Sequence, residues 1–283
     1  MSQFRVGNQT IPPVIKNLLI INGLFFLATF ALEQFNINLR TLLGLHYFEA
    51  SDFNPYQFIT YMFMHGDLMH IFFNMFALWM FGAILETYWG SKRFLFYYMV
   101  TGIGAGLIHL VTLYFELNPF ITSIDLFLEN PSVDLLNSFV STHKFFVDRA
   151  YTPDLWELFE KFSTSYTAWQ SDVSNTAAKI DCINFITSYR EYYLNLPNFS
   201  VVGASGAVYG VLLAFGMMFP NAPIYLYFAI PIKAKYLVVL YGGMELVSGI
   251  VNARGDNVAH FAHLGGMIFG LALILYWRYS HKR

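Results

Sequence analysis

The sequence has little charge and almost no cysteine. Only 12% of its 283 residues are charged, about half of the ~25% found in soluble globular proteins, which excludes an ordinary water-covered or disordered chain. The 16 basic and 18 acidic residues nearly cancel, so no overall field exists to attract nucleic acid. The single cysteine, Cys182, excludes an intrachain disulfide scaffold and a cysteine-rich metal site. Hydrophobic residues instead make up 56% of the chain, and its mean hydropathy is +0.47. These values indicate a membrane protein.

Long apolar runs predict the membrane spans, because about 20 apolar residues cross the hydrocarbon core as a helix. Five runs meet or approach this length, and a sixth, Tyr236–Val251, is shorter and carries Glu245. The first run has no small-residue cleavage site, so we interpret it as a retained span rather than a signal peptide. The five longer runs are Val14–Leu32, Met69–Leu85, Phe94–Phe115, Val201–Phe219 and Val258–Trp277.

Basic residues predict how these spans are oriented. Six spans put both termini on one side, and with the termini inside the short outer loops hold only Arg40 and Arg254. We therefore predict a multi-pass protein with both termini in the cytoplasm, and the distribution suits a bacterial cytoplasmic membrane. The nine basic residues then on the inner side are Arg5, Lys16, Lys92, Arg93, Lys233, Lys235, Arg278, Lys282 and Arg283.

The segment 116–199, between the third and fourth spans, differs from the rest of the chain. It holds eleven acidic and five basic residues, a net charge of −6 against +4 elsewhere. Thr152 and Pro153 are typical of a helix start. By parity the segment lies outside the cytoplasm, as a docked cap, a partner surface or a tolerated loop. The helical face that we predict after this start is formed by Trp169, Val173, Ile180, Ile183, Ile186 and Tyr193.

We accordingly predict three regions within an all-α membrane protein. Residues 1–115 carry the first three spans with an outer loop, residues 116–199 form a polar helical insertion outside the cytoplasm, and residues 200–283 carry the last three spans.

Polar residues within apolar runs are costly in lipid and are often functional. Spans two, four and six all begin on the outer side, so residues near their N-terminal ends lie at one depth. His70, Asn74, Ser205 and His263 are therefore expected to converge in one outer-leaflet pocket. Taken singly, such a serine is more typical of a bond to its own helix, and such a histidine or asparagine of interhelical hydrogen bonds. Together they match nucleophilic catalysis, in which a histidine accepts the serine proton.

Acyl transfer also generates an oxyanion that needs hydrogen-bond donors. The Asn74 amide, the His70 imidazole and the backbone N–H of Ser205 are suitable donors. We expect no acidic residue to complete a triad, so a serine–histidine dyad is the simpler prediction.

Glycine spacing favours contact between the fourth and sixth spans. Gly206 and Gly210, and likewise Gly266 and Gly270, are separated by three residues, a spacing typical of closely packed membrane helices. Such packing would bring the serine toward the histidine.

With these motifs the sequence resembles the rhomboid family of intramembrane serine proteases. Gly203-Ala204-Ser205-Gly206 fits the Gly-x-Ser-x nucleophile motif of the family, and Ala262–Gly270 fits Ala-His-x-x-Gly-x-x-x-Gly. His70 and Asn74 fit the family's His-x-x-x-Asn. The resemblance implies a six-helix bundle with Ser205 as nucleophile and His263 as base.

The resemblance also implies roles for further residues. His70, Asn74 and Gly203 are expected to bind the oxyanion or the substrate, and Tyr209 to pack on the catalytic histidine. Gly206, Gly266 and Gly270 are expected to support the site. His65, Glu86 and Gly90 also fall where the family pattern has His, Glu and Gly.

The implied activity is an endopeptidase that cleaves transmembrane helices of other proteins in the bilayer, with no cofactor and no metal. The sequence departs from the family in two places. Its first outer loop reads Phe53-Asn54-Pro55-Tyr56-Gln57-Phe58, without the Trp-Arg pair of several bacterial rhomboids. The insertion at 116–199 has no counterpart in the minimal six-span form.

Several alternatives stay open at this point. His260, one turn outward from His263, is the main competitor for the role of base, whereas we interpret His109 and Glu245 as structural hydrogen-bonding residues. A non-catalytic rhomboid-like scaffold that binds membrane clients is the alternative function. A small transporter is less favoured, because the polar residues cluster near one face and no inverted repeat is evident.

Overall fold

The computed structural model describes residues 11–226, 230–251 and 258–280. Four basic residues on which the predicted orientation partly rests lie outside these ranges, namely Arg5, Arg254, Lys282 and Arg283. The chain divides into two compact units. The bundle unit comprises residues 1–46, 52–111 and 200–283, and the insertion unit comprises residues 47–51 and 112–199.

Within the described residues, five helices are long and apolar enough to cross a membrane. The second of them, Leu68–Trp89, is built from α4 (Leu68–Ala77), a π-helical turn at Leu78–Gly82, and α5 (Ala83–Trp89). An all-α, multi-pass membrane fold is therefore confirmed. The helices concerned are α1 (Pro13–Glu33), α4 (Leu68–Ala77), α5 (Ala83–Trp89), α6 (Ser91–Glu129), α11 (Ala234–Val251) and α12 (His260–Ser280), with short helices α2 (Leu39–Leu43) and α3 (Gln57–Thr60) after α1.

The fourth predicted span is shorter as a helix than its apolar run. Helix α10 covers only Ser205–Met218, because the residues before it have other conformations. Val201 forms an antiparallel bridge with Leu45, and Gly203 has a φ of +127°. The helix therefore begins four residues after the start of the apolar run Val201–Phe219.

The third predicted span is longer as a helix than its apolar run. Helix α6 continues from Phe115 through Pro119 to Glu129, so the predicted start of the insertion at residue 116 lies within a helix. A two-stranded antiparallel hairpin is a further feature that the all-α prediction does not include. Its strands are β1 (Pro223–Leu226) and β2 (Ile230–Lys233), with Ile224 opposite Ile232.

A buried carboxylate anchors the first helix of the bundle unit. The backbone N–H groups of Val14 and Ile15 each donate to Glu86 at 2.9 Å, and the hydroxyl of Ser91 donates to the same carboxylate at 2.6 Å. The negative charge satisfies otherwise unpaired N–H groups at the positive end of α1. Glu86 therefore has a structural role here.

The insertion unit contains the last part of α6 and three further helices, α7 (Val133–Thr142), α8 (Pro153–Ser171) and α9 (Thr176–Leu194). Helix α8 begins at Pro153, as the sequence predicts. The expected single helical face after it is wrong, because a break between α8 and α9 separates its residues. Val173 lies in that break and is 71% exposed, and Ile180 is 50% exposed. Trp169 and Ile186 of that face are buried, in a core that is rich in further aromatic side chains, among them Phe139, Phe162, Phe185 and Tyr189.

Candidate active site

Ser205 is the first residue of α10, and the chain before it is held by the segment that precedes α4. The N–H of Gly203 donates to the carbonyl of Tyr61 at 2.9 Å. The φ of +127° at Gly203 is unfavourable for any residue with a side chain. A Cβ atom at this position would also lie 2.7 Å from Nε2 of His70. Gly203 thus allows the backbone before Ser205 to pass directly beside the His70 ring.

Helices α10 and α12 approach each other until their backbones touch. A Cβ atom at Gly266 would lie 1.8 Å from the carbonyl oxygen of Gly206. One turn along, a Cβ atom at Gly210 would lie 3.0 Å from the carbonyl of Gly266. Gly270 faces α6, where a Cβ atom would lie 2.2 Å from the Tyr97 hydroxyl. The glycine spacing therefore reflects actual close packing, as membrane helices use it.

This packing brings Ser205 and His263 together across 58 positions of the chain. Oγ of Ser205 lies 2.8 Å from Nε2 of His263. The ring of Tyr209 stacks on the imidazole, with 4.3 Å between ring centroids and 8° between their planes. The histidine is buried, so its ring is held between α10 and the residues behind it in α11. The arrangement can transfer a proton from the hydroxyl to the ring.

Glu245 lies behind the histidine, and the expectation that no carboxylate would stand beside it is wrong. Oε2 of Glu245 is 2.9 Å from Nδ1 of His263, close enough for an ion pair although the angle falls outside hydrogen-bond geometry. The hydroxyl of Tyr209 donates to the other oxygen, Oε1. The clue in the sequence was that Glu245 is the one acidic residue in the apolar run 236–251, where a charge is expensive.

His260, the predicted competitor for the role of base, contacts the carboxylate instead of the serine. Its Nδ1 lies 2.6 Å from Oε2 of Glu245. Both histidines at the start of α12 thus approach the same oxygen, and His263 is the one whose second nitrogen approaches Ser205. Glu245 is thus a hydrogen-bonding residue, as the sequence predicts, and its partners include the residues around the candidate base. His109 is buried elsewhere in the bundle unit, on α6.

Two of the predicted oxyanion residues, His70 and Asn74, lie on α4, which packs against α10. His70 accepts a hydrogen bond at Nδ1 from the N–H of Gly66 at 3.3 Å, which leaves its Nε2 facing Gly203. Asn74 is buried, and its amide donates to the backbone carbonyl of His70 at 3.0 Å. Its second N–H remains for another acceptor.

His65 is buried beside His70, with 5.0 Å between their ring centroids. Burial, helped by the neighbouring imidazole, lowers the pKa of His65 to about 3, so this ring is neutral at physiological pH. Gly90, with a φ of +82°, ends α5. His65 thus lies next to a predicted oxyanion residue, whereas Gly90 lies at the other end of the second span.

Comparison with known proteins identifies the family of the chain. The model of the Rhomboid domain matches residues 52–117 and 181–280. Two curated relatives carry the same family name. An uncharacterized mitochondrial rhomboid protein of Schizosaccharomyces pombe is 26% identical over 246 residues, which are 81% of this chain and 53% of that protein. A chloroplastic rhomboid-like protein of Arabidopsis thaliana is 30% identical over 97 residues, 31% of this chain and 32% of that protein.

The chain therefore spans about half the length of the first of these relatives and about a third of the second. The matched residues of the family model include the serine, both histidines of α12 and Glu245. They exclude 118–180, which is most of the insertion unit.

Proposed function

Because the chain belongs to the rhomboid family, we propose that it is an intramembrane serine endopeptidase that cleaves transmembrane helices of other membrane proteins. The observation that carries this proposal is the contact of 2.8 Å between Oγ of Ser205 and Nε2 of His263. An uncatalysed serine hydroxyl is a weak nucleophile, and a neutral imidazole at hydrogen-bond distance is the group that activates it.

In the proposed reaction Ser205 donates its proton to Nε2 of His263 as Oγ attacks the scissile carbonyl. The resulting oxyanion accepts hydrogen bonds from the backbone N–H of Ser205, from His70 and from the free N–H of Asn74. The imidazolium then gives its proton to the leaving amine, and an acyl-enzyme remains. Water then attacks the ester while His263 accepts its proton, and His263 returns that proton to Oγ of Ser205 as the acid product leaves.

Glu245 completes this proposal as the residue that positions the base. A proton on Nδ1 of His263 faces the carboxylate at 2.9 Å, which leaves Nε2 as an acceptor for the serine hydroxyl. The negative charge also stabilises the imidazolium that forms during attack. Tyr209 holds the carboxylate through its hydroxyl and the ring through stacking. Both contacts limit the orientations that the imidazole can adopt.

The proposed substrates are single-span or other transmembrane proteins within the lipid bilayer. A helix in lipid hides its peptide bonds in internal hydrogen bonds, so a substrate must unwind to reach the serine. We expect cleavage where glycine, proline or polar residues weaken the helix. The proposed orientation keeps the termini in the cytoplasm and the insertion outside it. The relatives are named as mitochondrial and chloroplastic proteins, so an organelle membrane is a second location to test beside the bacterial cytoplasmic membrane.

The decisive experiment is Ser205→Ala in the purified full-length chain. The variant should neither cleave a reconstituted single-span substrate nor be labelled by a fluorophosphonate. It should unfold at the same temperature as wild type, which shows that the fold is intact. Ser248→Ala, on α11, is the matched control and should keep both. Cleavage by Ser205→Ala would refute the proposal. A folded wild-type protein that neither cleaves nor takes the label would favour the scaffold that binds membrane clients.

A further inference from the structure

Three side chains converge on the Nδ1 side of His263, away from Ser205. Oε2 of Glu245 lies 2.6 Å from Nδ1 of His260 and 2.9 Å from Nδ1 of His263. The three atoms all lie within 4.8 Å of one another. Among the described residues, Nδ1 of His263 makes no hydrogen bond of good geometry although the atom is buried. The cluster therefore offers two imidazole nitrogens and one carboxylate oxygen close together.

We infer that Glu245, His260 and His263 form an inhibitory binding site for Zn²⁺. Two imidazoles, one carboxylate and a water are a common tetrahedral ligand set for zinc. Bonds of about 2.0–2.1 Å in that geometry put ligand atoms about 3.3 Å apart. The observed separations of 2.6 and 2.9 Å from the carboxylate oxygen must therefore widen by about 0.7 and 0.4 Å, which side-chain rotation can supply.

The surroundings of the cluster favour metal binding. The hydroxyl of Tyr209 donates a hydrogen bond to Oε1 of Glu245, the carboxylate oxygen that the histidines do not approach. Carboxylates that bind metals are usually held by such a hydrogen bond. His260 is the first residue of α12, and its side chain is 13% exposed against 10% for Glu245 and 11% for His263. The cluster is thus sheltered but reaches the surface at the end of a helix, where an ion can enter.

Zinc at this position blocks the proposed proton transfer, so the inference rests on the proposed function for its consequence. The metal takes the lone pair of Nδ1 on His263, and the single proton of the neutral ring moves to Nε2. Nε2 then donates to Oγ of Ser205 and can no longer accept the hydroxyl proton. The serine stays protonated and inactive until the metal leaves. The three ligands come from two helices, α11 and α12, so the site does not appear in the sequence as a His-Glu-x-x-His motif.

Binding is tested first without catalysis. Untagged Ser205→Ala protein, titrated with Zn²⁺ by calorimetry, should bind one ion per chain. His260→Ala or Glu245→Gln added to Ser205→Ala should weaken binding by at least about tenfold, whereas His143→Ala, in the insertion unit, should leave it unchanged. His260→Asn provides a second variant if His260→Ala does not fold. The absence of binding, or equal binding by the His260 variants, would overturn the site.

Inhibition is tested separately on protein with Ser205 intact. Micromolar Zn²⁺ should suppress both cleavage and fluorophosphonate labelling, and a chelator should restore them. His260→Asn should need at least about tenfold more zinc for half-inhibition, each variant being compared with its own zinc-free activity. Equal zinc sensitivity of wild type and His260→Asn would reject the inference while the protease stands. Zinc binding to Ser205→Ala without any proteolysis by wild type would keep the metal site and reject the protease.

Discussion

The two units of the molecule are both helical, but their helices pack by different means. All 20 glycines of the chain lie in the bundle unit and none in the insertion unit. In the bundle unit, backbone meets backbone, as at Gly206 and Gly266. In the insertion unit, rings fill the interior, with Phe145 and Phe162 packing against Phe185 at centroid distances of 5.4 Å or less. Lipid tails are as apolar as apolar side chains, so helices in a membrane are stabilised mainly by the van der Waals contacts that close approach permits. A polar unit is stabilised instead by removing large apolar side chains from water.

Carboxylates differ between the units in the same way. The bundle unit buries Glu86 and Glu245 and surrounds each with specific partners. The insertion unit keeps its acidic groups nearer the surface, where Asp125 pairs with Arg190 and Asp181 with Lys161. A buried charge is tolerated only with full compensation, so a carboxylate in the bundle marks a contact that the structure or the chemistry requires. A carboxylate in the insertion marks mainly a solvated surface.

The largest expected effect tests the glycine packing. Gly266→Ala places a methyl group against the backbone carbonyl of Gly206, which cannot move away without displacing α10. We expect little folded protein and no activity, measured by recovery as a monodisperse peak in detergent and by fluorophosphonate labelling. Gly243→Ala is the matched control, because a Cβ atom there meets nothing within 4 Å.

The control should be neutral or more stable by up to about 1 kcal/mol, since alanine favours the helix. Equal behaviour of the two variants would mean that backbone contact does not hold the bundle together. Loss of folded protein in Gly266→Ala but not in Gly243→Ala would show that the bundle unit depends on backbone contact. The insertion unit contains no glycine and cannot depend on it.

The features that local patterns encode were predictable from the sequence. The spans follow from apolar length, and the motifs around Ser205 and His263 predict which helices meet, because small residues permit close approach. The contact between Glu245 and His263 was not predictable, because it depends on how α11 packs on α12, which no spacing within one helix reveals. Val173 and Ile180 were assigned to a common face because periodicity does not detect the break between α8 and α9.

The next effect in size tests the buried carboxylate of the site. Glu245→Gln keeps the shape but removes the charge that faces Nδ1 of His263. Loss of this close charge contact, taken at the ~1.5–3 kcal/mol of a polar interaction with a charged group, corresponds to a roughly 10- to 160-fold lower kcat/KM. The decrease should lie in kcat with KM unchanged, because the carboxylate acts on the base and not on the bound substrate.

Glu33→Gln, at the exposed end of α1, is the control and should retain wild-type kinetics. A change in KM alone, or a fall in melting temperature that accounts for the lost activity, would show that Glu245 only supports the fold. The two bundle carboxylates would then have the same kind of role.

The smallest expected effect lies in the insertion unit, at the ion pair between Asp181 and Lys161. Their charged atoms are 2.7 Å apart, but the lysine side chain is 63% exposed, so water and salt screen the pair and Asp181→Asn should cost no more than about 1 kcal/mol. Hydrogen bonds from Lys161 and Ser165 lower the pKa of the Asp181 carboxyl. The Asp181 carboxyl therefore stays ionised in the folded unit at a pH where it is already protonated in the unfolded chain. The stabilisation from this difference is complete above the unfolded pKa of about 3.9. As the pH falls through the lower folded pKa, that contribution is lost, and wild type and Asp181→Asn should converge in stability.

Chemical denaturation at neutral and acidic pH, with Lys161→Met and the double variant completing the cycle, measures the coupling energy between Asp181 and Lys161. A coupling well above about 1 kcal/mol, or one that persists in acid, would mean that the insertion unit also relies on strong carboxylate contacts, which would remove the contrast with the bundle.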